Sequence, residues 1–87
     1  LSKKQIVKNP KELSLYPNPA KTNVNLSFKT KEAVNVEIYN VLGSVVQTAV
    51  HNGEVSNINI ESLPSGLYIV RVADGGTTYS KTFKKID

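Results

Sequence analysis

The side chains able to do acid–base or nucleophilic chemistry are few and scattered across this 87-residue chain. His51 is the single histidine, which excludes multi-histidine metal sites and most acid–base dyads. It stands beside Asn52-Gly53, a two-residue hairpin signal, so it is expected as a solvated turn residue. With no cysteine, thiolate zinc sites, iron–sulfur clusters, cysteine nucleophiles and disulfides are excluded together. The serines, Ser27 and Ser44 among them, have no second histidine and no Gly-x-Ser-x-Gly elbow to activate them. Asp74 and Asp87 are the only aspartates, and the five glutamates lie in separate segments, without the close pairing that acid–base work on sugars requires. Asp74-Gly75-Gly76 supplies one carboxylate, which predicts a turn rather than a calcium loop. No catalytic, cofactor-binding or metal-binding residue is expected, and so no enzymatic activity.

Three polar groupings remain. Asn25-Leu26-Ser27 has the form of a glycosylation triplet but falls in a strand pattern, where a surface loop is needed. Asn23, Asn25, Asn35, Asn57 and Asn59 occupy outward strand positions and read as solvent-facing residues. Lys81, Lys84 and Lys85 gather in the last apolar-alternating segment, where Lys81 and Lys85 share a face with Tyr79 and Phe83, and Lys84 lies opposite with Thr82. Lysines on an edge strand block unwanted pairing. They also fit a basic strand offered to a partner by strand addition.

The elements that position these residues alternate with a period of two. Leu13 and Leu15 begin a short strand that Tyr16-Pro17-Asn18-Pro19 breaks, because proline cannot continue a ladder. Val24, Leu26 and Phe28 point one way and Asn23, Asn25, Ser27 and Lys29 the other. Val34, Val36 and Ile38 repeat the pattern up to Asn40-Val41-Leu42-Gly43, where a glycine closes a hairpin. Ser44 to Val50 is rich in β-branched residues, and Ile58 and Ile60 alternate after Asn52-Gly53. Leu63-Pro64-Ser65-Gly66 then punctuates the chain. Tyr68, Val70 and Val72 follow, with Leu67 and Ile69 between them, so this strand is expected in mid-sheet with both faces partly covered. Residues 77–85 make the last strand. About seven strands, joined by Gly, Pro and Asn turns and without a helical stripe, predict an all-β, immunoglobulin-like antiparallel β-sandwich. A five-stranded OB-type barrel fits the turn count less well.

Length and charge narrow the function. A chain this short buries roughly 60% of its surface, enough for one small core. The net charge of +4 is concentrated at one end. Residues 1–12 hold four lysines against Glu12, whereas 13–87 hold seven basic and six acidic side chains. The body is nearly neutral and lacks the basic, aromatic-lined face that grips nucleic acid. No apolar run approaches the ~20 residues of a membrane span, so no membrane insertion is expected. The chain begins at Leu1 without a signal peptide and reads as part of a longer protein, with 1–12 a polar linker and 13–87 the folded domain.

Several segments occur in a distinctive order: Leu15-Tyr16-Pro17-Asn18-Pro19, Val24-Asn25-Leu26, Val36 through Val46 with Asn40-Val41-Leu42-Gly43, Ile60 through Val72 with Leu63-Pro64-Ser65-Gly66-Leu67-Tyr68, and Lys81-Thr82-Phe83-Lys84-Lys85. In this order and spacing they resemble the C-terminal sorting domain of type IX (Por) secretion substrates of Bacteroidetes, over about residues 13–86. One departure is Asn40, where the family often has an acidic residue before the turn glycine; Asn serves the same turn chemistry.

The resemblance implies a non-enzymatic secretion signal. It would direct an upstream cargo, after passage through the periplasm, across the outer membrane to the cell surface or beyond. The implied partners are the outer-membrane translocon and a surface sortase that cuts upstream of the domain, within 1–12. It also implies that Lys81, Phe83, Lys84 and Lys85 carry recognition, while Tyr16, Pro17, Asn18, Pro19, Gly43, Gly66 and Tyr68 define the fold. The alternative is a sugar- or protein-binding sandwich appended to a secreted enzyme, with Tyr39 and Tyr79 as its candidate exposed aromatics.

Overall fold

The computed structural model describes residues 12–87, which form seven strands and no helix. They are β1 (Ser14–Tyr16), β2 (Asn23–Ser27), β3 (Val34–Tyr39), β4 (Val45–His51), β5 (Val55–Asn59), β6 (Gly66–Asp74) and β7 (Thr77–Lys85). Two antiparallel sheets, β1-β2-β5 and β4-β3-β6-β7, face each other as a sandwich. The expected fold class and strand count are observed. β4 pairs with β3 rather than with β5, so the fourth strand belongs to the larger sheet.

The alternation places the core between the sheets. Val24 and Leu26 from one sheet, with Phe28 just past the end of β2, meet Val36, Ile38, Tyr68, Val70, Val72 and Phe83 from the other, all buried. Each such large side chain contributes about 1.5–3 kcal/mol by leaving water. One long side of the sandwich is bridged where Gln47 Nε2 of β4 donates to the Asn59 carbonyl of β5 at 2.7 Å. The other side lies between β1 and β7.

The β3–β4 hairpin shows its turn chemistry directly. Gly43 takes φ +88°, a left-handed conformation that favours glycine. The Asn40 side-chain oxygen accepts from the backbone N–H of both Leu42 and Ser44, each at 3.0 Å.

Three expectations are corrected. His51 is not a solvated turn residue: it is the last residue of β4 and has no exposed surface. Asn52-Gly53 does not close a hairpin, because β4 and β5 belong to different sheets; the turn carries the chain across the sandwich and His51 points into it. β6 does lie in mid-sheet, but its outer face is open, with Leu67 and Ile69 exposed. Their apolar character comes without the cover that it suggested.

His51 is held by chemistry that its burial requires. A carbonyl can only accept, so Nε2–H donates to the Phe28 carbonyl, while Nδ1 and the Ser56 hydroxyl share a hydrogen bond at 2.7 Å. Both ring nitrogens are thereby satisfied inside the fold.

Candidate functional site

β7 is the edge of the larger sheet, paired with β6 from Asp74↔Thr77 to Gly66↔Lys85. The four residues singled out on it divide by face. Phe83 is buried and stacks on Tyr68, ring centroids 5.6 Å apart. Lys85 is buried too, its stem inward and its Nζ 3.3 Å from the Ile86 carbonyl and 3.7 Å from the Asp87 carboxylate. Lys81 and Lys84 are exposed. Lys81 has the parity of the inward residues, yet it reaches solvent at the strand's margin.

The far end of β7 is clasped by the segment that breaks β1. Tyr16-Pro17 and Asn18-Pro19 are both cis peptide bonds. The Lys84 N–H donates to Asn18 Oδ1 at 2.9 Å, Ala20 N–H donates to the Lys84 carbonyl at 2.8 Å, and Ile86 N–H donates to the Ala20 carbonyl at 2.8 Å. Ala20 runs parallel to Lys85 here and is wholly buried. Tyr68, besides stacking on Phe83, donates its hydroxyl hydrogen to the Pro64 carbonyl. Of the residues expected to define the fold, Asn18 and Tyr68 thus make direct contacts with or beside β7.

The clasp also reveals which backbone groups of β7 face outward. Lys84 presents both its N–H and its C=O away from β6, and alternate residues of an antiparallel ladder share that orientation. Thr82, Ser80 and Thr78 therefore turn their backbone groups to the open edge, where they bond to no described residue.

The outer face of the larger sheet adds a surface that sequence reasoning missed. Register aligns Val45, Tyr39, Ile69 and Thr82 in one row, with Leu67 and Lys84 beside it. Val41 and Leu42 project from the adjoining hairpin, Leu42 with 86% of its surface exposed. The weak polar alternation of Leu67 and Ile69 was its only signal in the sequence. Arg71 covers Tyr39, its guanidinium carbon 5.1 Å from the ring centroid, and donates to the Tyr39 hydroxyl at 3.1 Å. That hydroxyl donates to Glu37 Oε1 at 2.7 Å. The hydrogen bond to Glu37, with desolvation second, raises the Tyr39 pKa above its ordinary 10.0, against the opposing pull of Arg71.

No sugar-stacking platform emerges from the tyrosines named for it. Tyr79 turns inward against Phe28 at 4.9 Å, and Tyr39 lies under Arg71. The smaller sheet's outer face is bound up in its own asparagines: Asn23 donates to Asn57 at 2.8 Å and Asn57 to Asn25 at 2.9 Å. Among the described residues, His, Asp and Glu nowhere gather in the threes that would hold a metal ion.

Comparison with known proteins bears on the chain as a whole. A family described as the secretion system C-terminal sorting domain matches residues 14–86, which take in every strand. An endo-acting ulvan lyase of Formosa agariphila is 33% identical over 64 residues. Those residues are 72% of this chain but 12% of that protein, so the chain spans a small part of the relative's length.

Proposed function

The chain belongs to the secretion system C-terminal sorting domain family, and on that premise we propose that it is the address by which a larger cargo leaves the cell through type IX secretion. Membership implies a non-catalytic export signal whose destination is the cell surface or the extracellular space. The observation that carries the reading is the match over 14–86, which spans both sheets and the clasped terminal strand.

The finer steps are part of the same proposal. The cargo crosses the periplasm, the folded domain docks on the outer-membrane translocon, and a surface sortase cuts upstream of it. The cut would fall within the proposed linker 1–12, of which residues 1–11 lie outside the described residues. On β7 the exposed Lys81 and Lys84 make the direct contacts, while Phe83 and Lys85 anchor the strand that presents them.

The experiment fuses the full 87-residue chain behind a periplasmic reporter in a host carrying the secretion system. The reporter should reach the surface or medium, and mass spectrometry of the released reporter should place its new C-terminus within 1–12. Equal delivery in a translocon-deficient host would overturn the sorting role. Delivery without any cut would overturn the sortase step alone.

A further inference from the structure

We propose that the open edge of β7 at Thr78–Thr82 receives an extended acidic segment of a partner as an added strand; this deepens the recognition role proposed above and rests on it. The first support is the hydrogen-bonding supply. Thr78, Ser80 and Thr82 each turn an N–H and a C=O outward, an unpaired ladder of the kind that strand addition completes. The edge is already competent for such pairing, since Ala20 occupies its far end in a parallel bridge to Lys85. The clasp therefore fixes where an incoming strand must stop.

Charge then selects the occupant. Lys81 and Lys84 are exposed and form no ion pair with a described residue. A residue set opposite Lys81 shares its face, and one opposite Thr82 is diagonal to Lys84, within reach of a long side chain. Because neighbouring strand positions alternate faces, two consecutive carboxylates satisfy both lysines at once. A second copy of β7 would instead bring these lysines against their own kind. Such inward- and edge-placed lysines reject apolar and basic strands, so the device that protects the edge also defines what it accepts.

The test uses the isotope-labelled full chain and an eight-residue β-prone peptide with two adjacent central glutamates; in a twin peptide, glutamines replace them. Amide exchange at Thr78, Ser80 and Thr82 should slow on adding the acidic peptide. The twin should bind about tenfold more weakly at low salt, a gap that closes as salt rises. Ser80→Pro removes an N–H that does not face β6, so it should abolish binding. Should that variant not fold, Lys81→Glu with Lys84→Glu serves instead, and should reverse the preference in favour of a peptide with two lysines. Equal binding of the twins, perturbation confined to Val45, Leu67 and Ile69, or protection of the three amides in the free chain would each overturn the proposal. If the reporter is delivered and the acidic peptide leaves the edge untouched, this inference fails while the sorting role stands.

Discussion

The Lys84 amide hydrogen bonds to the side chain of Asn18, 66 positions earlier in the chain, at 2.9 Å. This contact and its two backbone neighbours close the sandwich between β1 and β7 and hold the terminal strand in register. Asn18→Ala should lower stability by about 1 kcal/mol, the usual net value of one hydrogen bond. The amide exchange of Lys84 should quicken while that of Val70, deep in β6, changes only with global stability. A variant in which both amides respond equally would show that the clasp has no local role.

His51 fills the interior and bonds at both ring nitrogens. His51→Ala should cost roughly 3 kcal/mol, combining lost packing with the loss of the donor to the Phe28 carbonyl. Ser56→Ala removes one partner and should cost about 1 kcal/mol. Urea unfolding of the two variants gives the comparison; equal, small effects would contradict the buried placement.

The Asn40 side-chain oxygen holds the β3–β4 turn, adding to the backbone bonds from Asn40 N–H to the Ser44 carbonyl and from Gly43 N–H to the Asn40 carbonyl. Asn40→Asp keeps that acceptor and should leave the midpoint of thermal unfolding nearly unchanged. Asn40→Ala removes it and should cost about 1 kcal/mol. Gly43→Ala forces a side chain into φ +88° and should cost about 1–2 kcal/mol, although nothing crowds the position.

The Tyr39 hydroxyl loses its bond to Glu37 on ionising, so its pKa stands above 10.0. A proton held more tightly in the folded chain favours folding while it is bound. That contribution is present below the ordinary tyrosine pKa and lost as pH rises through the raised folded value. Ultraviolet titration should show the Tyr39 phenol ionising above its ordinary pKa, and Glu37→Ala, which removes the acceptor, should lower that value. An unchanged titration would sever the proposed link between the two residues.

How far the fold was legible depends on the range of the signal. Val24, Leu26 and Phe28 declare their strand and its inner face by alternation alone, and so does the parity of Tyr79, Phe83 and Lys85. Asn52-Gly53 marks a change of direction but carries no information about which sheet the next strand joins, so it does not reveal that His51 faces the interior. Leu67 and Ile69 look buried because apolar strand residues usually are; only the assembled sheet shows them exposed on its outer face. The clasp was unreadable for a different reason. The types of Asn18 and Lys84 do not encode a backbone-to-side-chain bond across most of the domain.

That long closure also sets a clock. Asn23 pairs with Asn59, Val36 with Val72, and Asn18 reaches Lys84. Chains dominated by such distant pairings meet the entropy of loop closure before any contact rewards it, and fold on the order of milliseconds to seconds. The two sides of the β7 edge, the open ladder and its stop, come into being together only when the slowest of these loops has closed. On the recognition role proposed for this edge, a partner would therefore respond to a finished fold, with a built-in delay between the arrival of the polypeptide and the appearance of its signal.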